Sequence, residues 1–518
     1  MNDNKLLKIG DHSTYAFNRA DTLFGSLSIN YQCYDVSHYD LDLEIDPQKE
    51  RLKGSSRITF KMIRSSSQIR LDLYEYLHIN NIRLNDQELT YERDLDALYV
   101  NFEHPLEAGG TYSIVISYEG RPLDLNFDIW AGAFIWQTDD QNIPFLQSLC
   151  QGYGPKGWWP SKNHLSDEPD SASISIAVPE NLVAVSNGIL TKIDSLISEK
   201  LTYHWTVSNP INNYNIAVHI GNYKKSVEEY SSRNGEKLTL EYFFLKQDQD
   251  LAQKKLKMVP KMLEVYEDYF GPYPFWEDGF KVVQSPYPME HQSCVAVGQN
   301  FDDRLILHEA AHEWWGNSVS ITDNAHIWIN EAFATYAESL YIEETLGYDL
   351  GQEYLNVKKE DIQNDHPIVG IEGVNHFHYR IEDKYYKGAL MLNTLRHIVS
   401  DDELWFETLK SIQENFRHSF IDTDGLLNYL SEGLKKDYST FFDQYLRTVN
   451  IPVLTVSQVD QGYRFRWENT IKDFIMPLKS DSGVIIPTKE WQTHNLNFTN
   501  PSQIKDLESK YLIKVILK

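Results

Sequence analysis

His308-Glu-Ala-Ala-His-Glu-Trp-Trp-Gly-Asn317 and, shortly after it, Trp328-Ile-Asn-Glu331 are the stretches that decide the fold and chemistry of this chain. On a helix, positions i and i+4 lie on one face, so His308 and His312 can bind the same metal ion. Glu331 adds a carboxylate nineteen positions after His312. Two imidazoles and one carboxylate, with no thiolate, are typical of a catalytic zinc site that keeps its fourth position open.

The residues around these ligands predict hydrolytic chemistry. A zinc ion lowers the pKa of its bound water and polarises a carbonyl group. Glu309 lies one residue from the first ligand, so we expect it to take the proton of that water and pass it to a leaving amine. Asn330, Thr335 and Glu338 lie near Glu331 on the same predicted helix, and one of them could orient a ligand histidine. Each of the three could equally be an ordinary polar residue of a helix surface.

Outward from this segment, the chain divides into three predicted domains, which together make an α+β multidomain protein. Residues 1–222 alternate polar and apolar side chains in short stretches, as in 38–45, and predict an N-terminal antiparallel β domain. Residues 223–450 predict a mainly helical catalytic domain, and residues 451–518 a small C-terminal β-sandwich. Within the central domain, spacing by three and four predicts helices over 250–270, 305–315, 329–346, 386–398 and 403–416.

Composition excludes several classes of protein. The 518 residues carry a formal net charge of −27, which repels phosphate backbones and anionic membranes. The same charge attracts metal ions and peptide ammonium groups, although solubility alone explains it as well. Three scattered cysteines do not make a disulfide framework. The first twenty residues lack the apolar core of a signal peptide, and no apolar run reaches membrane-spanning length. We therefore expect a cytoplasmic protein, with a periplasmic or secreted protein that has lost its signal as the alternative. The oligomeric state is left open.

The metal motif resembles that of the zinc aminopeptidases related to aminopeptidase N and leukotriene hydrolase, which are gluzincins with an HExxH-x18-E pattern. The resemblance implies a thermolysin-like catalytic domain, one zinc ion and peptide substrates with a free N-terminus. Tyr287-Pro-Met-Glu-His-Gln292 is similar to the family's Gly-x-Met-Glu-Asn motif, whose glutamate binds the substrate's α-amino group. Glu290 stands at that position, while His291 replaces the asparagine, as in short bacterial members with Met-Glu-His-Gln.

Two further stretches carry the resemblance. Tyr385-Tyr-Lys-Gly388 is similar to the family's Tyr-x-Lys-Gly, whose tyrosine donates a hydrogen bond to the oxyanion. Alignment on Lys-Gly selects Tyr385, with the adjacent Tyr386 as its competitor. The stretch 145–151, followed by Trp-Trp-Pro at 158–160, resembles a segment that reaches into the family's active site. Gln151 matches a residue that contacts the substrate amine there, and a simple turn residue is the alternative.

These observations together predict a zinc-dependent aminopeptidase that hydrolyses the N-terminal peptide bond of peptides, with Glu309 activating the attacking water. Larger family members finish with an extensive helical domain; we expect this chain to lack that domain and therefore to have a more open cleft. A zinc endopeptidase with the same metal site is the alternative within enzymes. A non-catalytic, zinc-containing peptide-binding protein is the alternative outside them.

Overall fold

The computed structural model describes residues 17–124, 132–196, 199–233, 235–375, 382–459, 462–480, 483–494 and 502–518. The sequence stretch tested for a signal peptide, 1–20, lies mostly outside these residues. The described chain forms a β-rich N-terminal part, a central part with most of the helices, and a C-terminal part in which strands return. None of the helices in these ranges is long and apolar enough to cross a membrane.

An eight-stranded sheet is the largest element of the N-terminal part. Its strand Tyr34–Asp46 alternates buried and more exposed side chains, which is why one face can join the core. This strand pairs antiparallel with Arg51–Met62 but parallel with Ser171–Pro179. The prediction of antiparallel pairing is therefore wrong for this one pair. A parallel neighbour requires a long crossover connection, and such a connection leaves no signal in local alternation.

The N-terminal part contains the remaining strands of this sheet, two smaller sheets and two short helices. The large sheet also contains His78–Leu84, Gln87–Glu88, Thr111–Gly120, Ile189–Leu196 and Lys200–Val207. A four-stranded sheet contains Phe134–Thr138, Pro144–Ser148, Val183–Val185 and His219–Gly221, and a three-stranded sheet contains Ser66–Asp72, Thr90–Asp94 and Ala97–Leu106. The helices are Arg19–Gly25 and Ile29–Gln32.

The central part opens with a five-stranded sheet that the sequence did not predict. Its strands are Tyr223–Ser231, Lys237–Leu245, Phe280–Val283, Pro288–Met289 and Cys294–Val297. Phe280–Val283 and Cys294–Val297 are buried at every position, so they show none of the alternation that marks a half-exposed strand. The short strand Pro288–Met289 ends directly before Glu290 and thereby fixes the backbone position of that residue.

Helices make up most of the rest of the central part, as predicted, and a two-stranded parallel sheet of Val319–Ile321 and Ser419–Ile421 accompanies them. They are Gln249–Lys255, Val259–Phe270, Asp303–Ala311, Trp328–Leu346, Tyr348–Val357, Tyr386–Val399, Asp402–Asn415, Thr423–Gly433 and Ser439–Leu446. The predicted helix 250–270 is interrupted by a 3-10 turn at Leu256–Met258, because Pro260 has no N–H and crowds the preceding turn. The predicted helix 305–315 ends at Ala311, and the chain then turns towards Gly316, whose φ is 122°.

Strands Val453–Val459, Gly462–Glu468, Gln492–His494 and Lys514–Leu517 form a four-stranded sheet in the C-terminal part. A hairpin of Leu478–Ser480 and Gly483–Ile485 and the short helices Ser502–Lys505 and Leu507–Lys510 accompany it. Its buried side chains join one hydrophobic core with the central part. The Tyr445 hydroxyl donates to the Leu512 carbonyl at 2.7 Å, and the Leu512 N–H donates to Thr394 at 2.9 Å. The domain boundary at residue 451 therefore stays a prediction.

Candidate active site

The predicted metal ligands lie on two packed helices, which we call the motif helix (Asp303–Ala311) and the ligand helix (Trp328–Leu346). His308 lies on the motif helix, and His312 is the residue that ends it. The Nε2 atoms of His308 and His312 lie 3.3 and 3.6 Å from the same oxygen, Oε2 of Glu331. All three side chains are buried. The two helices therefore bring the three predicted ligands together around one point.

The remaining imidazole nitrogens are held by acceptors, which fixes the direction that each ring faces. His308 Nδ1 lies 2.7 Å from Oε1 of Glu338, and His312 Nδ1 lies 2.9 Å from the backbone carbonyl oxygen of Trp315. A carbonyl or carboxylate oxygen accepts a hydrogen bond and has no proton to donate. When a metal ion is bound, each Nδ1 therefore carries the proton, and each Nε2 directs its lone pair at the point between the three ligand atoms.

This donor set fits a single zinc ion. The ligand atoms of His308, His312 and Glu331 lie within 4.8 Å of one another. Ligands placed tetrahedrally at about 2.0–2.1 Å from zinc are separated by about 3.4 Å. The measured separations of 3.3 and 3.6 Å agree with that spacing. Imidazole nitrogen and carboxylate oxygen are also the donor types that zinc accepts at catalytic sites.

Glu290 and Gln151, which the sequence assigned to the substrate amine, lie in direct contact. The Gln151 side-chain amide donates to Oε1 of Glu290, and the Tyr214 hydroxyl donates to the same oxygen at 3.2 Å. Asn317 donates its side-chain amide to the backbone carbonyl of Glu290 at 3.0 Å. Burial, and next the negative charge of Glu331, raise the pKa of Glu290 to about 7. Tyr214 was not predicted, because only the folded chain brings it to this carboxylate.

Glu309, the predicted proton acceptor, lies beside Glu290 and the predicted metal ligand His312. Polar atoms of Glu309, Glu290 and His312 lie within 4.8 Å of one another. Burial raises the pKa of Glu309 well above its usual range. These residues line a cleft of about 200 Å³, whose other lining residues include Gln151, Tyr287, Met289, Arg304, Leu305, Thr335, Glu382, Tyr385 and Tyr386. The cleft has room for the end of a peptide beside the metal ligands.

Tyr385 and Tyr386 both line the cleft, but they face different neighbours. The Tyr385 ring lies 5.8 Å from the His308 ring, measured between centroids. Burial, and then the charges of Glu331 and Glu290, raise the pKa of Tyr385, so its hydroxyl keeps a proton to donate. The Tyr386 ring instead lies under the Lys358 ammonium at 5.0 Å. This placement favours Tyr385 as the donor near the metal ligands.

Of the three polar residues proposed to orient a ligand, the structure places Glu338 against one. It contacts His308 as described above, and its second oxygen accepts a hydrogen bond from the Tyr354 hydroxyl. Asn330 and Thr335 are buried, and Thr335 lines the cleft, but neither has a hydrogen bond to a ligand within the described ranges. Sequence reasoning missed the Trp315 carbonyl, since a backbone acceptor has no residue-type signal, and Tyr354, which comes from the following helix.

His291, the departure from the family's asparagine, lies in a fully buried pair with His219. Its Nδ1 is 3.2 Å from Nε2 of His219, and the two rings are 5.1 Å apart. Burial lowers the pKa of both imidazoles, to about 3 for His219, so the pair is neutral at physiological pH. His219 belongs to the N-terminal part, and the contact therefore ties that part to the residue next to Glu290.

More hydrogen bonds join the N-terminal part to the segment that follows Glu290. The Asn187 side-chain amide donates to the Gln292 carbonyl at 2.7 Å, and the Gly188 N–H donates to the Ser293 hydroxyl at 2.9 Å. Asn215 donates to the side-chain oxygen of Asn317 at 2.6 Å. The amine-binding side of the cleft is thus built from both parts of the chain.

Comparison with known domain families gives two matches. Residues 35–214 match the Peptidase M1 N-terminal domain, and residues 289–445 match the Peptidase family M1 domain. Together these matches cover more than half of the chain.

Curated relatives include aminopeptidase N of Lactococcus lactis subsp. lactis, which is 24% identical over 464 residues and aligns with 82% of this chain and 52% of its own length. Aminopeptidase B of Mus musculus is 23% identical and aligns with 85% of this chain and 70% of its own length. The chain thus spans about half the length of the first relative and more of the second.

Solved structures with a similar fold include an M1 zinc metallopeptidase from Deinococcus radiodurans. It superposes with a TM-score of 0.71 at 23% identity, over 81% of this chain and 96% of that one. A mutant of that metallopeptidase bound to a Tyr-Ser-Ala substrate superposes with a TM-score of 0.68 at 23% identity, over 80% of this chain and 95% of that one. At this level of identity the likeness concerns the fold.

Proposed function

Because this chain belongs to peptidase family M1, we propose that it is a zinc-dependent aminopeptidase that hydrolyses the first peptide bond of substrates with a free N-terminus. The observation that supports this most is the distance between the amine-binding group and the metal ligands. An oxygen of Glu290 and a nitrogen of His312 lie within 4.8 Å of each other. A carboxylate so close to the metal leaves room for one residue between a bound ammonium group and the scissile carbonyl.

The substrate N-terminus is bound by the Glu290 carboxylate, which accepts a charge-assisted hydrogen bond from the ammonium group. The side-chain oxygen of Gln151 is a second acceptor in reach, because its amide nitrogen already donates to Glu290. An acetylated N-terminus lacks the positive charge that the Glu290 carboxylate would bind, and it is larger than an ammonium group. The pair Glu290 and Gln151 therefore selects for unblocked peptides and against internal cleavage.

His308, His312 and Glu331 would hold the zinc ion, which would supply a Lewis acid for the scissile carbonyl and for a water molecule. Glu309 accepts the proton of the attacking water and delivers it to the leaving amine. Tyr385 donates its hydroxyl proton in a hydrogen bond to the oxyanion as the carbonyl becomes tetrahedral. Glu338 and the Trp315 carbonyl keep the two imidazoles aimed at the metal.

The test compares two substrates that differ only at the N-terminus. The zinc-loaded protein should release the first residue from an unblocked aminoacyl amide and leave the N-acetylated copy intact. Activity should disappear with a chelator and return with zinc. Mapping the products of a long peptide separates the alternatives, because stepwise shortening indicates an aminopeptidase and internal fragments an endopeptidase. Efficient cleavage of the acetylated copy would overturn the proposal.

A further inference from the structure

Arg304 is an exposed cation in a cleft otherwise rich in carboxylates. It lies on the motif helix, one turn before His308, and its side chain lines the cleft. The chain has 75 acidic residues against 48 lysines and arginines, and eight arginines among the described residues lie in ion pairs. Within the described ranges, however, no carboxylate lies at ion-pair distance from Arg304. Its five N–H donors are therefore available to a ligand.

Arg304 acts electrostatically on groups that line the cleft. Burial raises the pKa of Glu309, and the positive charge of Arg304 opposes that rise. Burial also raises the pKa of Tyr287, another lining residue, and Arg304 opposes that shift too. Burial lowers the pKa of the Arg304 guanidinium, but the negative charge of Glu338 opposes this and the net shift is upward. The guanidinium therefore keeps its charge in the cleft.

Arg304 is separated along the motif helix from the residues that contact Glu290. Glu290 lies within 4.8 Å of Glu309 and His312, which follow Arg304 by five and eight residues. Five to eight residues at 1.5 Å each correspond to about 8–12 Å along the helix. An extended peptide covers about 3.3 Å per residue, so this separation corresponds to roughly two to four residues.

We propose that Arg304 forms a subsite for a substrate carboxylate on the leaving side of the scissile bond. The carboxylate comes either from the C-terminus of a short peptide or from an acidic side chain at its third residue. Guanidinium binds carboxylate with two parallel hydrogen bonds, which also fixes the direction of the peptide. The inference rests on the proposed aminopeptidase function and adds a preference for short peptides that carry such a group.

The experiment measures kcat/KM for an alanine tripeptide as the free acid and as the C-terminal amide. A second pair, both amidated, carries Glu or Gln at the third residue. The unaltered protein should prefer the acid of at least one pair by about tenfold, the size expected for one charge-assisted hydrogen bond. A preference in the first pair identifies the C-terminus as the source, and one in the second pair identifies a side chain.

The variants test whether Arg304 causes the preference. Arg304→Gln should reduce the acid-to-amide ratio to about one, and Arg304→Lys should keep part of it as a point charge. Arg64→Gln removes the same charge from an exposed position of the N-terminal part and should leave the ratio unchanged. Zinc content is measured for all variants to show that the metal site is intact.

Two failures are distinguishable in this design. Absence of any amino-acid release from the amidated tripeptide by the unaltered protein would count against the proposed function, and with it the subsite. Release with equal kcat/KM for both members of each pair would overturn the subsite alone. A preference that survives in Arg304→Gln would do the same, because another group would then bind the carboxylate.

Discussion

Glu338→Gln tests how much the carboxylate that contacts His308 contributes to zinc affinity. The Glu338 carboxylate lies 2.7 Å from His308 Nδ1 and accepts a second hydrogen bond from Tyr354. Glutamine keeps the size and one acceptor oxygen but removes the negative charge that increases the basicity of the imidazole. Loss of such a partner weakens metal binding by roughly 10–100-fold, or about 1.4–2.7 kcal/mol. We expect the zinc Kd of Glu338→Gln to rise within that range.

The assay is competition for zinc between the apoprotein and a chromophoric chelator, which needs no turnover. Tyr354→Phe keeps the carboxylate and removes one hydrogen bond, so its effect should be smaller. Glu344→Gln on the same ligand helix removes an equal charge from an exposed position and should leave Kd unchanged. If the Kd of Glu338→Gln stays within twofold of the unaltered protein, the argument that this carboxylate supports His308 is wrong.

Three further predictions concern proton transfer, oxyanion binding and acid stability. Glu309→Gln should lower kcat by about 10²–10⁴-fold while zinc content stays at one equivalent; retained turnover would show that another group accepts the proton. Tyr385→Phe should lower kcat by about 10²–10³-fold and Tyr386→Phe should change it little, and the reverse order would reassign the donor. Because burial lowers the pKa of His219 to about 3, its neutral form stabilises the fold fully above pH 6.5, and this stabilisation decreases as the pH falls towards 3. Urea unfolding should show that decrease, and His219→Gln should flatten it; an equal slope in both proteins would contradict the assignment.

The features that sequence predicted well depend on short-range patterns. His308 and His312 are four residues apart on one helix, so their common direction follows from helical periodicity alone. The β-rich N-terminal part and the helical central part follow from the same kind of pattern, and the family that these motifs resemble is confirmed by the two domain matches. Glu290, Gln151 and Tyr385 were found only through that resemblance, because nothing local marks them.

The features that sequence missed depend on contacts between distant segments. Tyr214 reaches Glu290 across 76 positions of the chain. Burial on all sides removed the alternation that would have revealed strands Phe280–Val283 and Cys294–Val297. The parallel pairing of Tyr34–Asp46 with Ser171–Pro179 is likewise set by a long connection. Each of these cases is decided by tertiary packing, which a single sequence does not display.

The division of the cleft between the two parts of the chain has a consequence for synthesis on the ribosome. Gln151 and Tyr214 are made before the zinc ligands, and they meet Glu290 only once the later segment has folded against them. A nascent or clipped chain that lacks either part cannot assemble the contacts of Gln151 and Tyr214 with Glu290. The proposed selection for peptide N-termini therefore depends on both parts of the chain having folded against each other.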